Sequence, residues 1–216
     1  MANKGTAALI VFTDIADAKN EEEFNTWYNT KHLPDLTSLP GVLDGARYVA
    51  VTGAPKYLSV YELADASVVR SSAWLNRPLT DWDRRMSPRV IGENLIRVIA
   101  EQIYPETCDD AERGMAPAVL IGRMSVPQEI EDEWNAWYNE EYIPGYLKVP
   151  GVIAARRFRV LEGGNATYTT MYELEDPAVR STPEWSYQHE HSSAKTPTMH
   201  AAMTMDYGSP GIWRRI

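Results

Sequence analysis

The 216-residue sequence has one cysteine, Cys108, and no apolar stretch long enough to cross a membrane. One cysteine excludes an internal disulfide and a cysteine-based metal cluster within a single chain. A membrane span needs about 20 consecutive apolar residues. The N-terminus also lacks the pattern of a signal peptide, so the sequence predicts a cytoplasmic protein.

Basic residues are scarce as well, with 21 Lys and Arg against 30 Asp and Glu, which gives a formal net charge of -9. Nucleic acids and anionic membranes attract basic surfaces, so neither is an expected partner. The sequence contains no phosphate-binding loop, dinucleotide fingerprint or nucleophile elbow. We therefore expect a small hydrophobic substrate and no cofactor.

The sequence does contain an internal repeat. Residues 25–34, NTWYNTKHLP, return about 110 positions later as residues 135–144, NAWYNEEYIP, and each copy continues to a Pro-Gly-Val triplet. A repeat of this length indicates two similar structural units. The two copies differ at five positions, and the difference that suggests where reactivity was kept or lost is His32 in the first copy against Tyr142 in the second.

Each copy predicts the element order βαββαβ. An unbroken apolar strand is followed by a helix with aromatic residues, which should end before Pro34 or Pro144. Two strands form a hairpin after the Pro-Gly pair, a second helical segment begins at Asp65 or Asp176, and a last strand lies near 95–104 or 199–207. The predicted boundaries are 1–105 for the first repeat, 106–116 for a polar linker that includes Asp109 and Asp110, and 117–216 for the second repeat.

This element order is that of a ferredoxin-like unit, a four-stranded antiparallel sheet with helices on one face. The apolar first strands indicate that the other face is buried too, most simply against the sheet of the second repeat. The predicted fold class is therefore α+β, with two βαββαβ repeats whose sheets face each other as an intrachain pseudo-dimeric barrel.

Motifs in both copies resemble those of a known family. Trp27, Tyr28, His32, Pro34 and Asp35, followed by Pro40-Gly41 and Arg47-Tyr48, resemble the signature of the EthD-like branch of the dimeric α+β barrel superfamily. The second copy is similar at Trp137-Tyr138, Pro144, Pro150-Gly151 and Arg157-Phe158. The resemblance implies a pocket between sheet and helices in each half, with the histidine at the helix end projecting into the first pocket.

His32 is the main candidate for catalysis. It lies four residues after Tyr28, so both should share a helix face, and the negative end of the helix should raise its pKa. Asp35 could orient the ring. The alternative is that His32 only caps carbonyls of the last turn. Tyr142, the counterpart, could donate a hydrogen bond to an oxyanion or could simply fill space.

Other aromatic and histidine residues are candidates for substrate contact. Helical spacing places Trp27, Tyr28 and Trp137 first of all in the core, and some of them could also wall a cavity, as could Tyr48, Tyr61 and Trp74. His189 and His191 lie about 200° apart on a helix, so they do not readily share a metal there. No metal site is predicted, and a solvated or pocket-rim position is favoured for both. The stretches 76–89 and 185–197 are candidate lids or ordinary crossovers.

The leading functional hypothesis is a cofactor-independent acid–base enzyme, an isomerase, dehydratase or related lyase, acting on a small hydrophobic oxygenated compound such as an aromatic or a terpenoid. A haem protein with an axial histidine is the second class, suggested by the haem-using relatives of the family that the sequence resembles. A non-catalytic module that binds a hydrophobic ligand, for example in a stress response, is the third. An internal pseudo-dimer leaves further pairing into a homodimer open.

Overall fold

The structure is a computed structural model that describes residues 4–107 and 112–216. Cys108, Asp109 and Asp110 of the predicted linker lie outside the described residues. The first half has the following elements, in chain order: β1 (Ala7–Ile15), α1 (Glu21–Trp27), a π-helical turn (Tyr28–His32), α2 (Leu33–Thr37), β2 (Val42–Thr52), β3 (Tyr57–Leu63), a 3-10 turn (Ala66–Arg70), α3 (Ser72–Leu75), α4 (Asp81–Met86), α5 (Pro88–Ile91) and β4 (Gly92–Tyr104).

The second half repeats this order with changes near its end. Its elements are β5 (Ala118–Ser125), α6 (Glu131–Trp137), a π-helical turn (Tyr138–Tyr142), α7 (Ile143–Tyr146), β6 (Val152–Glu162), β7 (Tyr168–Leu174), a 3-10 turn (Pro177–Ser181), α8 (Pro183–His191), α9 (Thr196–Ala202), β8 (Thr204–Met205) and β9 (Gly211–Arg215). Short 3-10 turns, Ala18–Asn20 and Gln128–Ile130, precede α1 and α6.

Eight antiparallel strands close into one barrel. Strands β2, β3, β1 and β4 form the sheet of the first half, and β6, β7, β5 and β9 form that of the second. The two sheets join through the pairs β4–β6 and β2–β9. The predicted α+β barrel of two facing ferredoxin-like sheets is therefore confirmed. The division of the chain into separate domains stays a prediction.

One strand prediction was wrong. The last strand was expected near residues 199–207, but that stretch contains most of α9 and the two-residue β8, and the barrel is closed by β9, Gly211–Arg215. Met199 and Met203 have the apolar character of a strand, yet Met199 packs in the core of the second half. The alternation of apolar and polar residues could not separate this short helix from a strand.

The barrel interior is a packed core. Residues of β1 and its neighbours, among them Ile10, Phe12 and Val60, meet Ile121, Met171 and Trp213 of the second half there. The other face of each sheet packs against the helices of its own half, in two separate aromatic clusters. The first strands are thus buried on both faces, which explains their unbroken apolar sequence.

A buried ionic cluster also joins the halves. Glu62 and Glu173 occupy the same position in the two repeats, and Lys4 lies 3.2 Å from Glu62 and 3.5 Å from Glu173. Arg156 contacts the Glu62 carboxylate at 2.6 Å. Because burying one carboxylate without a cation is costly, these contacts account for the glutamate in both Tyr-Glu-Leu motifs.

The repeated asparagines hold an arginine against the helix. Arg47 on β2 donates to Asn25 and Asn29, both at 2.8 Å, and its guanidinium lies 4.3 Å from the centroid of the Tyr28 ring. Such paired and stacked contacts favour arginine over lysine. The second half makes the same contacts through equivalent residues: Arg157, Asn135, Asn139 and Tyr138.

Candidate functional site

His32 and Tyr142 each lie at the end of a π-helical turn. Both helices continue past the proline, because α2 contains Pro34 and α7 contains Pro144. The prediction that the helices end before these prolines was wrong. Proline removes a donor and crowds the carbonyl four residues earlier, and here the wider turn already carries its hydrogen bond over five residues, from Leu33 N–H to the Tyr28 carbonyl.

The pKa of His32 differs from the prediction in direction. The helix continues to Thr37, so His32 does not face the free carbonyls of a helix end. Burial instead lowers the pKa of His32 to about 4, and the positive charge of Arg77 adds to this effect. Desolvation disfavours the charged imidazolium. The ring is therefore neutral at pH 7 and able to accept a proton.

The His32 ring is held by aromatic contacts. It stacks on Trp27 with 4.4 Å between ring centroids and meets the Tyr28 ring edge-on at 4.7 Å. Within residues 4–107 and 112–216, neither ring nitrogen has a hydrogen-bond partner. The imidazole is thus fixed in position while its polar atoms stay available to a ligand.

Asp35 does not orient this ring. Its carboxylate is half exposed and pairs with Lys31, one helical turn earlier. Lys31 also lies 3.0 Å from Asp83 of α4, and the Trp27 indole donates to the same carboxylate at 3.0 Å. Asp83 therefore ties the stretch predicted as a lid to the helix that carries His32.

A first cavity, of about 300 Å³, lies beside His32 between the sheet and the helices of the first half. Three arginines line it: Arg77, Arg89 and Arg97. Arg77 is anchored by a hydrogen bond of 2.6 Å to the Trp74 carbonyl, and Arg97 lies 3.6 Å from Glu162. Much of the remaining wall is apolar or aromatic and includes Leu9, Val11, Tyr28, Leu36, Tyr61, Val69 and Trp74.

A second cavity, of about 260 Å³, occupies the equivalent place in the second half. Its aromatic wall consists of Tyr138, Tyr142, Tyr146, Tyr172 and Trp185, and His189, His200 and Arg180 also contribute to the lining. Partial desolvation lowers the pKa of His189, and burial brings that of His200 to about 4, so both imidazoles are neutral at pH 7. This cavity is less cationic than the first.

Three polar groups meet at the second cavity. The Tyr142 and Tyr146 hydroxyls lie 3.2 Å apart, and His189 Nδ1 lies 3.3 Å from the first and 3.2 Å from the second. The His200 ring stacks on His189 at 5.0 Å. Burial raises the pKa of Tyr142 and brings that of Tyr146 to about 12, so both phenols remain protonated donors at neutral pH.

Several residues proposed for substrate contact lie elsewhere. Tyr48 packs in the barrel interior and donates to the Ala116 carbonyl, because it follows Arg47 on a strand and so faces the opposite side of the sheet. His191 is exposed and stacks on Tyr187. Trp27 and Trp137 are buried behind His32 and Tyr142 rather than in the cavity walls.

The remaining candidates line a cavity: Tyr28, Tyr61 and Trp74 the first, and His189 the second. Residues that line the cavities but were not predicted as site residues include Arg77, Arg97, Tyr146 and His200. Tyr146 had a usable signal, since it follows Tyr142 by one helical turn. The arginines had none, because their positions depend on how the chain folds back over the sheet.

The described part of the chain contains no group of three His, Cys, Asp or Glu side chains arranged to bind a metal ion. Haem, used by some proteins of this fold, needs an axial ligand and a pocket for the macrocycle. His32 has free nitrogens, and arginines could pair with propionates. However, a cavity of about 300 Å³ is at the lower limit even for drug-sized ligands, and haem is larger. Neither cavity therefore encloses a space of haem size.

The fold is a closed antiparallel α+β barrel, and it is similar to solved structures of dimeric α+β barrel proteins. An anthrone oxidase-like protein is 14% identical, with a TM-score of 0.65 over 100% of this chain and 94% of its own. A candidate chlorite dismutase is 13% identical, with a TM-score of 0.67 over 97% and 94%. A haem-binding protein from Thermus thermophilus is 12% identical, with a TM-score of 0.55 over 99% and 92%.

These likenesses, at such low identity, show the fold alone. A family model described as a domain of unknown function, DUF4286, matches residues 119–209, less than half of the chain. No curated protein matches the sequence. Helices long and apolar enough to cross a membrane are absent from the described residues.

Proposed function

We propose that this protein is a cofactor-independent acid–base enzyme, an isomerase, dehydratase or related lyase, with His32 as its general base. The observation that carries the proposal is the state of that ring, which is neutral, fixed by Trp27 and Tyr28, and free of hydrogen bonds to the described residues. Its nitrogen lone pair is therefore available to a substrate bound in the first cavity.

The proposed step is proton abstraction next to a carbonyl group. A ring nitrogen of His32 takes the proton from carbon, and the electron pair of the C–H bond moves into the carbonyl to give an enolate. Arg77, close enough to His32 to lower its pKa, stabilises the negative oxygen. Return of the proton to another carbon completes an isomerisation, and loss of a β-hydroxyl group as water completes a dehydration.

The walls of the first cavity limit the substrate. Apolar side chains such as Leu9, Val11 and Leu36 suit a hydrophobic body, aromatic or terpenoid. The arginines favour an oxygenated end that is negative or becomes negative during reaction. A volume of about 300 Å³ favours one or two rings.

Deuterium exchange tests this step without knowledge of the natural substrate. The probe is 2-tetralone, a two-ring ketone with exchangeable α-hydrogens, in D₂O at pD 7. Proton NMR measures the loss of the α-signals above the buffer rate. The wild-type protein should accelerate exchange, and His32→Ala should abolish the acceleration while its thermal unfolding stays nearly unchanged. One acid–base group typically supplies a factor of about 10² to 10⁴.

Tyr142→Phe is the matched control, since Tyr142 has the equivalent position in the other half and should leave the exchange unaltered. Exchange retained in His32→Ala would contradict the role of His32. Binding of 2-tetralone without exchange would favour a ligand-binding module instead. Oxygen consumption during incubation would indicate that the enolate reacts with oxygen, as the name of the anthrone oxidase-like protein suggests for that relative.

The proposal also covers the evolutionary origin of the chain, its partners and its cellular location. The repeat of Trp27-Tyr28 as Trp137-Tyr138, each followed by a π-helical turn, supports a tandem duplication within the EthD-like branch. A net charge of -9 favours small molecules over nucleic acid or membranes as partners. We propose a cytoplasmic protein. Light scattering would show whether two chains pair.

A further inference from the structure

The cavity of the second half has a chemistry of its own. Its floor and walls are apolar and aromatic, with Leu120, Tyr138, Tyr172 and Trp185 as the main contributors. Polar groups gather at one side, where His189 is exposed and His200 is partly buried. A pocket with an apolar body and a few convergent polar groups is the usual form of a small-molecule site.

The hydrogen-bond inventory of this polar side is incomplete. The Tyr142 and Tyr146 hydroxyls and His189 Nδ1 form a closed triangle with sides of 3.2 to 3.3 Å. If Nδ1 accepts from Tyr146, and Tyr146 accepts from Tyr142, the Tyr142 oxygen still has lone pairs to offer. If Nδ1 instead donates, one phenol proton is left for a ligand oxygen. The first tautomer leaves the triangle able to accept a hydrogen bond from a ligand hydroxyl, and the second leaves it able to donate one to a ligand carbonyl or hydroxyl oxygen.

His200 adds further hydrogen-bonding groups to this side of the cavity. Neither of its ring nitrogens has a hydrogen-bond partner among residues 4–107 and 112–216, although the ring is fixed by stacking on His189 and by edge contacts to Trp137 and Tyr142. A neutral imidazole offers one donor and one acceptor. The polar side therefore recognises hydroxyl and carbonyl groups rather than a full charge.

The two cavities differ in the number of positively charged side chains that line them. The second is lined by one arginine, Arg180, whose guanidinium lies 5.7 Å from the centroid of the Trp185 ring. The first is lined by three. A carboxylate gains more from the first cavity, whereas an uncharged aromatic compound gains more from the stacked rings of the second.

We propose that the second-half cavity is a separate binding site for an uncharged aromatic compound with one hydroxyl or carbonyl group. The ring system packs among Tyr138, Tyr172 and Trp185, and the oxygen joins the cluster of Tyr142, Tyr146 and His189. This site does not depend on the His32 chemistry and binds its ligand whether or not the first cavity is catalytic.

Methionine methyl groups report which cavity a ligand enters. Met124, Met203 and Met205 line the second cavity, and no methionine lines the first among the described residues. The probe is 2-naphthol, uncharged at pH 7, added to protein labelled with ¹³C at the methionine methyls. Ring currents should shift the signals of these three methionines and leave those of Met86 and Met171 unmoved.

Variants give the controls. Met203→Trp, which fills the second cavity, should weaken 2-naphthol binding more than tenfold by calorimetry, and Tyr146→Phe should weaken it about threefold to tenfold, in line with the loss of one hydrogen bond. His32→Ala should have no effect on this binding. Thermal unfolding confirms that each variant is folded.

Three outcomes would overturn the proposal. The first is the absence of methionine shifts up to the solubility limit of 2-naphthol. The second is equal shifts at Met86 and Met203. The third is binding of 2-naphthoate, the carboxylate analogue, at the second cavity as tightly as 2-naphthol. None of these outcomes affects the deuterium exchange that tests His32. The proposed function and the second binding site can therefore be contradicted independently of each other.

Discussion

His32 and Tyr142 end the same π-helical turn in the two halves, and each packs its ring against the tryptophan five residues earlier, His32 stacked and Tyr142 tilted. The ring centroids are 4.4 Å apart for Trp27 and His32 and 4.6 Å apart for Trp137 and Tyr142. Residues five apart on an α-helix point to different sides, because each residue turns the helix by about 100°. The wider turn brings them together, and π-helical turns are frequent at functional sites.

The pH dependence of exchange should follow the pKa of His32. A base with a pKa of about 4 is unprotonated throughout the neutral range. The rate kcat/KM for 2-tetralone should therefore be flat from about pH 6 to 8 and fall as pH drops toward 4. A rate that already decreases between pH 7 and 6 would contradict the neutral, desolvated state of the ring.

Arg77→Gln should lower the exchange rate at the first site and raise the pKa of His32. Loss of the cation that stabilises the enolate should lower the exchange rate roughly 10- to 100-fold. The pKa of His32 should rise toward its ordinary value, because the positive charge of Arg77 contributes to lowering it. NMR titration of the His32 ring measures the second effect. Arg70→Gln, an exposed arginine outside the cavity, is the control and should change neither.

Stability should fall with pH in a way that depends on His32. The pKa of this ring is about 4 in the folded protein against an ordinary value of 6.5. Between these values the unfolded state binds more protons, so stability decreases as pH falls from about 6.5 to 4 and is unaffected above that range. Thermal unfolding of wild type and His32→Gln across pH 4 to 8 should show a smaller decrease for the variant. An equal loss of stability in wild type and variant would contradict the lowered pKa of His32.

Asp83→Asn should destabilise the first half. The Asp83 carboxylate is buried, and burial by itself would raise its pKa. Hydrogen bonds from Thr80, Lys31 and Trp27 outweigh this effect and hold the pKa below the usual range. Its contribution is present above the ordinary pKa and is lost as pH falls. Removing the charge should cost about 1 to 3 kcal/mol in the free energy of unfolding by urea titration. Asp81→Asn, on the same helix but exposed, should change it little.

Haem titration tests the second functional class. Because neither cavity encloses a space of haem size, added hemin should give only the broad absorbance of non-specific association. A sharp Soret band that disappears in His32→Ala would show that the first cavity opens to bind haem through this histidine. The same band lost in a His200 variant would place haem in the second half.

The sequence was a good guide to architecture because the repeat fixes it. Unbroken apolar strands such as β1 are possible only with both faces buried, and this pattern alone indicated the facing sheets. The repeated Arg47 and Arg157 mark the contacts between strand and helix. Prediction of helix ends was poorer, because Pro34 breaks an α-helix but is accommodated after a π-helical turn.

The sequence by itself determined that there are two similar halves and that His32 in the first has Tyr142 as its counterpart in the second. Only the tertiary structure decided the environment of these residues. Burial and Arg77 lower the pKa of His32, whereas helix position alone predicted the reverse. Likewise His200, distant in the chain from Tyr146, lines the same cavity because α8 and α9 fold over the second sheet. Desolvation and charge act through space, so they follow from folding and not from spacing along the chain.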